Sequence, residues 1–187
     1  MTLIAGLDIE TSGLEQADGH RIIEIAILTY DFNTRRLVDS YVQRIDPERS
    51  IAAAAQEVHG ISYEDLVGCP KWEAVAPIVA SKLAVCTMFF AHNMKFDGPF
   101  VGAELLRVKQ PLPTTEPFCT MENARWATPN GKYPRLGELC FALGVDYDTD
   151  KAHGASYDVQ VMTECFWRGF DRGFYKPEVD LNLAAAA

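Results

Sequence analysis

The distribution of apolar positions divides the chain into two stretches of different character. Leu3 to Ile9 is a short apolar run ending in Asp-Ile-Glu, which predicts a buried strand, with Gly13 in the turn beyond it. Ile22 to Phe32 (IIEIAILTYDF) is rich in Ile, Tyr and Phe and predicts a second strand. Asn33-Thr34 marks a hairpin into Arg36 to Ile45 (RLVDSYVQRI), whose apolar residues partly alternate. The chain thus opens with three strands, expected as antiparallel neighbours.

After residue 45 the pattern changes to helical spacing. Ser50 to Glu57 (SIAAAAQE) has high helix propensity and a Ser at its start that can cap it. Trp72 to Leu83 has apolar residues at helical intervals, Thr87 to Ala91 (TMFFA) reads as a buried strand, and Phe96 to Val108 as a helix with Pro111 and Pro113 beyond its end. Phe118 to Met121 is a weak fifth strand. Leu136 to Leu143 is a helix stopped by Gly144, and Ala155 to Phe170 carries the stripe Val159, Met162, Thr163, Phe166, Phe170. Three strands followed by alternating helices and strands predict an α/β domain built on a mixed five-stranded sheet flanked by helices.

Composition narrows the class. The 187 residues suit one domain, expected over residues 1–175 with a short tail at 176–187 that ends in four alanines, and 48% hydrophobic residues supply a core. The longest apolar runs, Ile51 to Ala55 among them, are far short of a membrane span, and no basic start precedes an apolar run as a signal peptide requires. With five widely spaced cysteines and no CxxC, free thiols in a reducing cytoplasm are the expectation. The net charge of −9 argues against non-specific coating of DNA. A nucleic-acid role remains open if the acids gather at a metal site, where divalent cations reverse the local sign.

Three acid-bearing segments stand out. Asp8 and Glu10, two apart at the end of the first strand, share one face, where paired carboxylates repel unless a cation or proton intervenes. Acid-x-acid pairs arise by chance about three or four times at this acid content, so the spacing alone says little; the buried strand that leads into this pair says more. In Ala91-His92-Asn93-Met94-Lys95-Phe96-Asp97 a strand enters a loop and Asp97 falls on the first turn of a helix, where an acid is also favoured simply by the helix dipole. In His153-Gly154-Ala155-Ser156-Tyr157-Asp158, His153 and Asp158 converge only if the histidine lies on the loop before the helix; a lone loop histidine is otherwise just solvated.

Taken in order, this set resembles the DnaQ-like 3′–5′ exonucleases of the DEDDh type, in the ribonuclease H-like superfamily. The resemblance rests on Asp8 and Glu10 in GLDIETSGL, Asp97 in AHNMKFD, and His153 with Asp158 in HGASYD. It is extended by Val58-His59-Gly60-Ile61 and by Leu136 to Val145 (LGELCFALGV), and spans about residues 3 to 170. Met94 and the Cys119-Thr120 pair depart from the commoner pattern, and CTMENAR is closer to exonuclease X-like and phage-encoded members. The resemblance implies a ribonuclease H-like fold and two Mg²⁺ or Mn²⁺ ions. Asp8 is then the ligand shared by both, Glu10 and Asp158 complete the set, Asp97 acts at one remove through water, and His153 is the general base, as suits an imidazole titrating near working pH.

The implied reaction releases 5′-mononucleotides from the 3′ end of DNA, favouring single-stranded or frayed ends. Thr11 and the backbone of Ile9 and Glu10 are then expected at the terminal sugar, Leu14 as a wedge against the terminal base, His59 at the scissile or adjacent phosphate, and Asn93 as a further substrate-binding residue; ordinary turn packing is the competing reading for Leu14. Arg125, Lys132, Arg135 and Lys151 are candidates for the flanking phosphates. An RNA-trimming activity on the same site and a non-catalytic binding scaffold are the alternatives, the latter disfavoured because all four acids and the histidine are present. No polymerase-tethering segment is expected after Asp158's helix, and no membrane partner.

Overall fold

The computed structural model describes residues 1–115 and 117–179. Five strands form one sheet: β1 (Leu3–Thr11), β2 (Ile22–Asp31), β3 (Leu37–Arg44), β4 (Met88–Ala91) and β5 (Phe118–Cys119), in the order β3-β2-β1-β4-β5. β1, β2 and β3 are antiparallel neighbours, whereas β4 runs parallel to β1 and β5 parallel to β4. Parallel pairing demands long crossovers. α1 (Ala53–His59) and α2 (Trp72–Ala84) lie between β3 and β4, and α3 (Met94–Arg107) lies between β4 and β5. α4 (Leu136–Leu143) and α5 (Ala155–Asp171) follow the sheet.

The alternation of β1 separates two cores. Ala5, Leu7 and Ile9 face one side, where they are buried with Val75, Val79 and Leu83 of α2 and Phe100 of α3. Ile4 faces the other, with Leu139 of α4 and Val159, Met162 and Phe166 of α5. Gly6 shares this second face: a Cβ there would lie 3.0 Å from both Val159 Cγ1 and Thr163 Oγ1, so the glycine lets α5 press directly on β1. The even positions after it, Asp8 and Glu10, therefore point to the same side as α5.

Several boundaries differ from the sequence reading. The helix expected from Ser50 begins at Ala53, and no side chain caps it, so Ser50 is not its cap. α3 starts two residues earlier than Phe96, because the Asn93 carbonyl already accepts the Asp97 N–H at 3.2 Å. The fifth strand is only Phe118–Cys119, as Thr120 turns away while its N–H bonds the Ala91 carbonyl at 2.9 Å. Beyond α5 the chain stays packed to Tyr175, which is fully buried and donates its hydroxyl to the Thr120 carbonyl at 3.1 Å. The expected alanine tail, Ala184 to Ala187, lies outside the described residues. All five cysteines are free thiols. Among the described residues no helix is long and apolar enough to cross a membrane.

Candidate active site

Asp8 and Glu10 reach the cleft at the end of β1, where the β1–β2 register shifts between Glu10 and Thr11. Such an irregularity re-aims the strand end, here beside the acids. α5, held against Gly6, brings Asp158 on its first turn to the same place. One carboxylate oxygen from each of Asp8, Glu10 and Asp158 lies within 4.8 Å of the other two, a grouping without a second instance among the described residues. Asp97 comes from the opposite layer, on the first turn of α3, and is 3% exposed. It stands behind the trio and is not one of its closely grouped oxygens, yet its charge is the largest single influence on Asp8 after burial.

The electrostatics follow from that crowding. Burial carries Asp8 well above the usual carboxylate range, and the charges of Asp97, Glu10 and Asp158 add to it. Glu10 is pushed up to about 8, by burial first and then by Asp158, Glu24 and Asp97. Burial raises Asp97 to about 7 against the backbone N–H groups of Asp97 and Ile9, which favour its charged form. Asp158 is raised by burial, opposed by the backbone N–H and the charge of His153. Its Oδ2 accepts that N–H at 3.0 Å, while its Oδ1 is buried with no hydrogen-bond partner. An all-oxygen donor set, mutually repelling and with an orphaned buried oxygen, fits a hard divalent cation such as Mg²⁺ or Mn²⁺.

His153 lies on the loop before α5, as the convergence argument required, and its backbone is left-handed at φ 62°. Its N–H bond to Asp158 is the local tie that holds this uncommon conformation. In the same segment the Tyr157 hydroxyl accepts the Asp148 N–H at 2.6 Å. His92 of the AHNMKFD stretch has a structural place: Nε2 is 3.1 Å from the Pro134 carbonyl, which puts the ring proton there, and Nδ1 is 3.0 Å from Thr120 Oγ1. Burial pushes it down to about 4.

Beside the acids opens a cleft of about 580 Å³, lined among others by Glu10, Thr11, Leu14, Val58, His59 and Phe96. Leu14 is exposed at its rim, where turn packing does not claim it. The His59 ring accepts the Ile61 N–H at Nδ1, 3.0 Å away, so the neutral ring carries its proton on Nε2, a buried donor with no partner. Burial lowers its pKa, opposed by the Thr11 backbone close by, whose approach falls short of hydrogen-bond geometry at Nε2. The Thr11 hydroxyl donates to the Gly13 carbonyl at 2.7 Å and retains only acceptor capacity. The Ile9 side chain packs into the core behind the acids, leaving its backbone alone for any substrate contact. Asn93 is exposed on a neighbouring groove with Leu14, Lys95 and Phe96.

Two residues that sequence reasoning did not single out also border the site. His20 is 3.1 Å from Ser12 Oγ through Nδ1 and fills the space over Gly13; only the GH pair before the second strand hinted at it. Glu24 is paired with Glu10 across β1 and β2, and the polar position inside IIEIAIL was its signal. Of the basic candidates, Lys132 pairs with Glu138, Lys151 with Asp148, and Arg125 donates to the Gly131 carbonyl, so these three are engaged on their own surfaces.

Comparison with known proteins gives concordant matches. A family model described as Exonuclease matches residues 5–166. The DNA polymerase III subunit epsilon of Rickettsia typhi is 33% identical over 165 residues, covering 86% of this chain and 70% of that protein. Among solved structures, exonuclease X in complex with 5′-overhanging duplex DNA aligns with a TM-score of 0.68 at 24% identity, over 92% of this chain and 94% of that one. The nuclease domain of 3′hExo, a DEDDh family member bound to rAMP, aligns with a TM-score of 0.75 at 17% identity, over 95% and 96%.

Proposed function

The chain belongs to the exonuclease family, with the DnaQ-like, DEDDh-type enzymes, and from that premise we propose that it removes 5′-mononucleotides from the 3′ end of DNA, preferring single-stranded or frayed ends. The observation that carries this reading is the meeting of Asp8, Glu10 and Asp158 within 4.8 Å beside a cleft that presents an unpartnered His59 donor. The choice of DNA is supported by the likeness to polymerase III epsilon subunits.

In this reading Asp8, Glu10 and Asp158 would hold two divalent cations, with Asp97 behind them acting through water. Bound there, the cations would supply Lewis acidity toward the phosphodiester and lower the pKa of water. The chain's own residues do the rest. An imidazole nitrogen of His153 accepts the proton of the attacking water, and the exposed loop gives the ring access to it. His59 donates its Nε2 proton to a phosphate or sugar oxygen, a bond strengthened by its burial. Leu14 and Phe96 take the terminal base by apolar contact, which reads stacking and not sequence. The backbone at Glu10 and Thr11 receives the 3′ hydroxyl.

The test compares 3′-labelled and 5′-labelled oligonucleotides, as DNA and as RNA, with Mg²⁺ and with EDTA. We expect immediate mononucleotide release from the 3′ label, progressive shortening of the 5′-labelled strand, faster cleavage of DNA, and no reaction in EDTA or with Asp8→Ala. Activity that survives EDTA or Asp8→Ala overturns the cation-dependent site. Comparable cleavage of a circular single strand overturns the exonuclease assignment, and faster cleavage of RNA overturns the choice of DNA.

A further inference from the structure

The acid cluster has a fifth carboxylate beside it that the chemistry above does not use. Glu24 lies opposite Glu10 in the β1–β2 register and on the same face of the sheet. It is 8% exposed, and its charge helps raise both Asp8 and Glu10, so it aggravates the repulsion at the site. Unlike the trio, Glu24 has both oxygens engaged. Oε1 accepts from Arg44 Nε at 3.0 Å, the residue paired with it on β3. Oε2 accepts the backbone N–H of Ala155 at 3.2 Å, across 131 positions of sequence.

Ala155 is the first residue of α5. The first N–H groups of a helix have no partner within it, and the residue before α5, Gly154, has no side chain to supply one. Glu24 thus does from the sheet what a capping side chain does locally, offering an acceptor oxygen to an N–H that the helix leaves free. The point it holds lies two residues after His153 and three before Asp158. His153 is tied in turn to Asp158 through its own N–H, in a left-handed backbone conformation. Arg44 orients the carboxylate that makes the bond.

We propose that Glu24 is a positioning residue: it pins the N-terminus of α5 to the sheet and so sets where His153 and Asp158 stand relative to Asp8 and Glu10. The proposal rests on the functional reading above for its kinetic consequence and on geometry alone for its structural one. What matters is an acceptor oxygen with glutamate's reach, not the charge. Glu24→Gln keeps the reach and one acceptor oxygen for Ala155 and gives up the charge and the Arg44 bond; Glu24→Asp keeps the charge and falls one methylene short.

The experiment makes both variants and Glu24→Ala in the full chain. It measures amide hydrogen exchange without cation or substrate, Mn²⁺ affinity, and kcat and KM on a single-stranded oligonucleotide. We expect the Ala155 amide to exchange at least about tenfold faster in Glu24→Asp and Glu24→Ala, with β1 and β4 unchanged, and near the parent rate in Glu24→Gln. In the same two variants kcat should fall roughly 10–10²-fold with KM nearly constant, as expected for small misplacement of reacting groups, and Glu24→Gln should retain most of it. Unchanged exchange at Ala155 in Glu24→Asp overturns the proposal. So does the reverse order, with Glu24→Gln impaired and losing Mn²⁺ affinity while Glu24→Asp is not, because that pattern marks a charge or ligand role. If Glu24→Ala does not fold, the Gln and Asp pair still decides. A parent chain that exchanges as expected but cleaves no oligonucleotide overturns the functional reading and leaves the pin standing.

Discussion

Without cations, Glu10 and Asp97 hold protons in the folded state that the unfolded chain gives up near pH 4, since their folded values are about 8 and about 7. The folded state therefore binds more protons through this window, and stability falls as pH rises through it. His92 acts in the opposite sense, but only below its unfolded value of about 6.5, because its folded value is lowered to about 4. Between pH 6.5 and 8 the raised acids dominate. In EDTA the melting temperature should drop by several degrees across that interval, since about 1 kcal/mol moves a domain of this size by about 2–4 °C. Millimolar Mg²⁺ should restore it, most at the high-pH end, through binding to the folded state only. A metal-free melting temperature flat or rising from pH 6.5 to 8 would contradict the repulsion among these carboxylates. For His153 the prediction is kinetic. His153→Ala should lower the single-turnover rate by roughly 10²–10⁴ at saturating Mg²⁺, while DNA affinity in Ca²⁺ stays near the parent value because all four acids remain. Cleavage within a few-fold of the parent at every pH would assign the proton elsewhere.

Among the elements, the contact of α5 with β1 has the most consequence for the site. Asp8 is two residues along β1 from Gly6, and Asp158 precedes Val159, one of the residues that Gly6 admits. A methyl group at Gly6 has to displace Val159 and Thr163, whose hydroxyl is already committed to the Val159 carbonyl at 2.7 Å. Overpacking of this kind costs about 1–3 kcal/mol. Gly6→Ala should therefore lower the melting temperature by several degrees and also weaken Mn²⁺ binding, because α5 carries Asp158 away as it moves. The control is Gly102→Ala on α3, where a Cβ meets nothing within 4 Å: it should leave Mn²⁺ binding unchanged and raise the melting temperature slightly, since alanine is favoured over glycine inside a helix. Loss of cation affinity in the control as well would remove the special status of the α5–β1 contact.

For the molecule as a whole, the net charge of −9 opposes the approach of a polyanion, and three of the four basic candidates for the flanking phosphates are engaged on their own surfaces. Affinity for DNA then depends on the cation that reverses the local sign. A 3′-terminal single-stranded oligonucleotide should bind at least about tenfold more tightly in millimolar Ca²⁺ than in EDTA, measured by fluorescence anisotropy at constant ionic strength, with the difference lost in Asp8→Ala. Equal affinity in both conditions would place the binding energy on a surface away from the acids.

By itself the sequence determined the fold class, five strand positions, and the four acids and one histidine as an ordered set. Those signals are local: strand and helix periods, a loop glycine before a helix, and acids at the ends of apolar runs. Element ends were less legible where backbone bonds outvoted propensity, as at Ala53 and Met94, and at Cys119, where the weak strand is cut to two residues. The tertiary structure alone decided which acids share one set of oxygens and which one stands behind them, because that depends on how closely α5 approaches β1 over a missing side chain. It alone oriented His59, left its Nε2 proton free, and gave Glu24 a partner in Ala155. No period or motif carries that last bond: its two ends are 131 positions apart and meet only because α5 packs on the face of the sheet to which Glu24 of β2 points.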